Sequence, residues 1–187
     1  MKLFFPSILI ILMITTTNAQ TKLPYYEIPQ AAMEYTAGAV ASRIIDGLGF
    51  RYYWATEGLT VKDLDFKPNK ESRTSSETID HILGLSQVTL NAMLKKPNGE
   101  KQPEMTFTEK RKKTLENLKQ ASDILKTSKD VSQYKIIFGE KEFPFWNTLN
   151  GPISDATWHV GQIVSFRRSS GNPISKKIQF LTGTVKK

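Results

Sequence analysis

Ser75-Ser76-Glu77-Thr78-Ile79-Asp80-His81-Ile82-Leu83 opens the most regular stretch of this 187-residue sequence. Ser75 and Ser76 offer hydroxyls for a helix N-cap, and Glu77 supplies an early acidic side chain, as helix starts prefer. Ile79, Ile82, Leu83, Leu90 and Met93 then recur at a period near 3.6, which predicts one apolar stripe on a helix. Lys95-Lys96-Pro97-Asn98-Gly99 ends it.

Three further helices are expected around this one. Upstream, Gln30 to about Trp54 places Met33, Ala37, Val40, Ala41, Ile44, Ile45 and Leu48 at helical spacing, with Gly58 as a stop. Gly47 and Gly49 weaken that helix locally, since glycine costs about 1 kcal/mol against alanine in a helix interior. Thr60 to Thr74, with Pro68 and Asn69, reads as a loop. Downstream, Thr108 to Lys126 predicts a third helix with Thr108 as N-cap and Leu115, Leu118, Ala121, Ile124 and Leu125 inward. A short β-like run, Tyr134 to Phe138, precedes a last helix ending near Ser169, where Gly171 suits the left-handed position after a helix. Pro152 either starts that helix or kinks a longer one from near Pro144. The expected class is all-α, a four-helix bundle, in which sites form between facing helices.

Composition narrows the chemistry. One domain is the default for this length. The chain has no Cys, which excludes disulfides, thiolate zinc sites, iron–sulfur ligation, a cysteine nucleophile and a lipid-modified cysteine. With two His, a site of three imidazoles cannot be built from one chain. Residues 1–19 have the form of a secretory signal peptide: Lys2, an apolar run from Leu3 to Ile14, then small and polar residues to Ala19. That run is too short to span a bilayer. Cleavage there would leave residues 20–187 as one exported domain, periplasmic or secreted, without membrane insertion. It would also lower the net charge from +8 to +7. The positive charge is dispersed, Lys110 to Lys113 wraps around a helix, and no groove-reading motif accompanies it, so no nucleic-acid partner is expected.

Both histidines sit on predicted helices, each four residues after a carboxylate: Glu77 before His81, and Asp155 before His159. Residues four apart share a helix face. If the two faces meet, two imidazoles and one or two carboxylates converge, a donor set suited to a divalent metal. Gln162 continues the Asp155–His159 face and either orients a ligand or a bound water or makes a helix–helix hydrogen bond. Glu77 reads foremost as a first-turn carboxylate facing the helix dipole, and otherwise as a partner of His81, a fourth ligand or a general base on metal-bound water. Trp158 is expected as core or pocket wall; Arg167 and Arg168 point in different directions, so one at most faces an anionic substrate or a loop carboxylate, and surface or structural pairing is the favoured reading.

Asp155-Ala156-Thr157-Trp158-His159-Val160-Gly161-Gln162-Ile163, followed by Arg167-Arg168 and Gly171-Asn172-Pro173, resembles the last-helix motif of the DinB-like family, and Thr78-Ile79-Asp80-His81-Ile82-Leu83 resembles its second-helix histidine segment. The resemblance covers essentially all of residues 20–187. It implies an up-down-down-up four-helix bundle and a metal site with one His from the second helix and two from the last. His81 and His159 match two of those ligands; the third position holds Asp155 here. The implied site is therefore His81, Asp155 and His159 around Zn, Ni, Fe or Mn, with Glu77 and Gln162 in support. The implied activity is that of a metal-dependent enzyme, a hydrolase or thiol-dependent transferase acting on a small molecule. A non-catalytic module that holds a metal or small ligand is the alternative. A homodimer is left open.

Overall fold

In the computed structural model, residues 22–187 are described; the segment read as a signal peptide lies outside them. The protein is mostly helical. Four long helices dominate: α1 (Ala37–Thr56), α3 (Ser75–Leu94), α4 (Phe107–Lys126) and α6 (Ser154–Ser170), with a short α2 (Val61–Leu64) and α5 (Phe145–Thr148) between them. Among the described residues, no helix is long and apolar enough to cross a membrane.

The helix starts follow one rule. Thr74 caps α3: its side chain accepts from the Glu77 N–H at 3.1 Å, while the Glu77 carboxylate accepts from the Thr74 N–H at 2.7 Å. Thr106 and Glu109 repeat this at α4, at 3.3 and 2.7 Å. Two orphan backbone donors are satisfied at each end. The N-caps expected at Ser75 or Ser76 and at Thr108 therefore lie one or two residues too late. Thr60 and Asp63 build a third such cap inside the segment read as a loop, and so create α2.

Helix α1 starts at Ala37, capped by Thr36, and not at Gln30. Gly38 sets its approach to α4, because a Cβ there would collide with the backbone oxygens of Leu125 and Ser128. That contact turns Ala41, Ile45, Leu48 and Tyr52 inward and leaves Val40 and Ile44 45% and 47% exposed. Met33, ahead of the helix, is also exposed. Ala37 is exposed too, and these four are corrections to the expected apolar face. Helix α4 packs on α1 and on α3, and α6 packs on α3 and α1. The core between them holds Ile45, Tyr52, Ile79, Ile82, Leu115, Leu118, Leu125 and Ile163, all at most 1% exposed. Each aliphatic side chain among them contributes roughly 1.5–3 kcal/mol by burial.

Short strands depart from a purely helical chain. β1 (Pro97–Asn98) pairs parallel with β2 (Lys135–Phe138), which pairs antiparallel with β3 (Lys141–Pro144). Near the C-terminus β4 (Ile178–Gln179) pairs with β5 (Thr184–Val185).

The last helix resolves the two readings of Pro152. The chain is helical from Phe145 through Ser170, with a π-helical turn at Leu149–Ile153 that contains Pro152. Proline lacks an N–H and crowds the carbonyl one turn back, and a wider turn relieves both. Gly171, at φ 94°, ends α6 in the left-handed conformation as expected. Arg167 is buried and structural: its guanidinium donates to the Trp54 and Ala55 carbonyls at 2.9 and 3.0 Å and to the Asn172 carbonyl at 2.6 Å. Asn172 in turn donates to the Gly58 carbonyl and the Asp63 carboxylate. One end of the molecule is thus tied together by a polar latch.

Candidate metal centre

Asp155 and His159 stand on the first turns of α6, directly after the π turn, and His81 stands in the first half of α3. A π turn holds one residue more than an α turn, so it rotates the following helix by about 100° relative to an uninterrupted one. That rotation, next to Asp155, sets which face of α6 meets α3.

The faces meet at the three residues expected. His81 Nε2 lies 3.1 Å from Asp155 Oδ2, and His159 Nε2 lies 3.3 Å from Asp155 Oδ1. The imidazole rings stand edge to face, with centroids 4.6 Å apart. One nitrogen from each imidazole and one carboxylate oxygen lie within 4.8 Å of one another. Metal–ligand bonds of ~2 Å bring two ligand atoms to ~4 Å or less, so side-chain movements of under about 1 Å would close this set on one ion. All three are half-buried, His159 the least exposed with 14% of its side chain open, against 33% and 40% for His81 and Asp155.

Gln162 occupies the place the sequence offered it. Its Oε1 lies 2.8 Å from His159 Nδ1. An amide oxygen there requires the proton on Nδ1, which leaves Nε2 unprotonated in the neutral ring and facing Asp155 and His81. That is the tautomer a metal ligand needs, and a hydrogen bond of this kind orients ligating histidines generally. The donor chemistry fits a divalent cation: two imidazoles, one carboxylate, and a partner that presets one ring.

Glu77 does not join the group. Its carboxylate serves the cap at Thr74, and hydrogen bonds from the Thr74 backbone and hydroxyl, with lesser help from Lys67 and Arg73, hold it below the usual carboxylate range. Trp158 is 73% exposed, neither core nor enclosed wall. In the basic run, Lys110 pairs with Asp80 at 2.6 Å, and the largely buried Arg111 donates to Thr56 and Tyr53 and pairs with Glu57.

Two buried carboxylates escaped the sequence reading. Asp63 is 2% exposed in the latch; burial works to raise it, but donors from Ser170, Thr60 and Asn172 hold it well below the ordinary carboxylate range. Asp46 is 3% exposed between α1 and α4, where burial raises it despite hydrogen bonds from Ser122 and Tyr25. The Thr60–Asp63 spacing is a legible cap signature. Nothing in the sequence marks Asp46, which falls among apolar residues of α1.

Compared with known proteins, the chain matches no family model, and no curated protein or solved structure matches it significantly.

Proposed function

We propose that this protein is an exported DinB-like four-helix bundle that binds one divalent metal ion through His81, Asp155 and His159 and acts as a metal-dependent enzyme of hydrolase or thiol-dependent transferase type. The observation that carries the reading is the convergence of both histidines and one aspartate from two separate helices to within 4.8 Å. Such an ion supplies Lewis acidity, favouring the deprotonated form of a water or thiol that it polarises. Asp155 contributes the negative charge that offsets the ion, His81 and His159 contribute neutral donors, and Gln162 holds His159 in the ligating tautomer. Export argues against a cytosolic thiol cosubstrate, so hydrolysis of a small molecule is the favoured chemistry. A non-catalytic metal-binding role is the second reading, favoured by the exposure of His81 and Asp155, which leaves the site shallow.

The test is elemental analysis of protein prepared without a histidine tag and equilibrated with Zn, Ni, Fe(II) or Mn. Close to one equivalent of one metal is expected in the unaltered protein. His81→Ala and His159→Ala should each lose it. Full metal content in both variants would refute the site. Metal binding without hydrolysis of any ester, amide or phosphoester probe would favour the non-catalytic reading.

A further inference from the structure

Helix α1 is apolar on two sides. Ala41, Ile45, Leu48 and Tyr52 face the core, and a second row runs along the outside: Ala37, Val40, Ile44, Gly47 and Arg51. The spacing alternates three and four residues, the spacing that keeps a seam facing a partner helix. Over these fifteen positions the row is about 21 Å long. A face meant only for water would carry charge along its length; this one carries charge at Arg51 alone.

The row is a ridge between two grooves. One, of about 430 Å³, is walled across from α1 by Phe145, Trp146 and Leu149. The other, of about 280 Å³, is walled by Glu34 and Tyr35 of the segment before α1 and by Arg43 of α1, whose guanidinium is tied to the Pro29 carbonyl at 2.6 Å. Val40 and Ile44 line both grooves. Around them Trp146 is 70% and Tyr35 94% exposed, the kind of aromatic anchor that dominates binding energy once covered.

We propose that this face joins two copies of the chain, α1 against α1 and antiparallel, about a two-fold axis at Ile44. A ridge bordered by grooves is self-complementary: the ridge of each copy lies in a groove of the other, as ridges pack into grooves between helices generally. Charge sets the direction. Arg51 and Glu34 lie toward opposite ends of the row, and among the described residues neither forms an ion pair. Arg51 donates only to the Gly47 carbonyl of its own helix, at 3.0 Å. An antiparallel alignment centred on Ile44 sets Arg51 of one copy beside Ala37 of the other, close to Glu34, and symmetry repeats the pair. A parallel alignment would set Arg51 against Arg51. Turning Arg51 toward Glu34 also uncovers Gly47, whose missing side chain leaves room opposite Val40. None of the three metal-site residues lies on this face, so the proposal stands or falls apart from the metal reading.

The cysteine-free sequence makes the axis directly testable. A disulfide forms only between residues whose Cα atoms come within about 7 Å. Ile44→Cys should give a covalent dimer under mild oxidation in dilute solution, while Glu116→Cys, exposed on α4, should not. Sedimentation should show a dimer for the unaltered protein and a monomer for Ile44→Glu, with helical circular dichroism confirming that the variant folds. Glu34→Arg and Arg51→Glu should each weaken the dimer roughly tenfold, and the double variant should regain the loss. A monomer at every concentration, a dimer without the Ile44→Cys crosslink, or charge reversals that do not compensate would each overturn the proposal. A monomer that takes up an apolar dye, and loses it on Ile44→Glu, would assign the face to a small apolar ligand instead.

Discussion

Two segments of this chain share a pattern and part in what they do with it. Glu77 and His81 on α3 stand four residues apart, as do Asp155 and His159 on α6. In each pair the carboxylate lies near the start of its helix and the histidine one turn later. Yet Asp155 stands between two imidazoles at 3.1 and 3.3 Å, while Glu77 turns back to the N–H of Thr74 at 2.7 Å. The difference lies in how each helix begins. α3 starts from an extended residue with four orphan N–H groups, and a glutamate at the third position is drawn to them. α6 continues from a π turn and has no orphan donors to offer, so Asp155 is released toward α3. A carboxylate four residues before a histidine becomes a candidate ligand only where the backbone has no prior claim on it.

Replacing the two carboxylates in turn breaks the comparison most sharply. If the proposed site binds as expected, Asp155→Ala should drop metal content from about one equivalent to near none, because it removes the one carboxylate of the proposed set. Glu77→Ala should leave metal content unchanged. Elemental analysis of both variants, prepared side by side, decides the matter; equal losses would mean that Glu77 reaches the site and that the cap is not its main task.

The next effect is smaller and falls on the α6 side alone. Gln162→Ala removes the acceptor from His159 Nδ1 without removing a ligand. Loss of such an orienting partner typically costs 10–100-fold in metal affinity. A competition titration with a chelator should find that loss at full stoichiometry. Unchanged affinity would leave Gln162 as a helix-surface amide with no part in the site.

Much of this is legible in the sequence itself. The stripe of α3, the stop at Gly171 and the shared face of Asp155, His159 and Gln162 follow from period and turn chemistry. The N-caps fall one or two residues before the expected ones because Thr74, Ser75 and Ser76 are all competent; the acid three positions on, Glu77 for Thr74 and Glu109 for Thr106, is what chooses among them. The inward face of α1 was misread because Val40 and Ile44 lie on a second apolar row, and periodicity alone does not say which of two rows is buried. That His81 meets Asp155 is a tertiary fact, set by the π turn and by how α3 lies on α6, and spacing within one helix carries no trace of it.

The cap itself supplies a stability contrast. Thr74→Ala removes the hydroxyl that accepts from Glu77 N–H and should cost about 1 kcal/mol. For a chain of this size that is a fall in Tm of roughly 2–4 °C. Metal content should not change, since His81 lies about two turns beyond Thr74. A thermal scan in the presence of a chelator isolates the effect, and a variant as stable as the unaltered protein would show that the start of α3 is held by packing alone.

The finest division between the two carboxylates is in acid. Glu77 is held below its ordinary range in the folded protein by the Thr74 backbone and hydroxyl. A carboxyl depressed on folding stabilises the protein above its unfolded pKa, near 4.3, and that contribution is lost as pH falls through the lower folded value. The unaltered protein should therefore be more stable than Glu77→Gln at pH 7, and the gap should narrow below about pH 4 and vanish once Glu77 is protonated in both states. Denaturation at several pH values, with chelator present so that Asp155 and the histidines carry no metal, measures that gap. A gap that persists at pH 2 would mean that the neutral side chain's packing, and not the charge-assisted bond to Thr74, is what Glu77 contributes to α3.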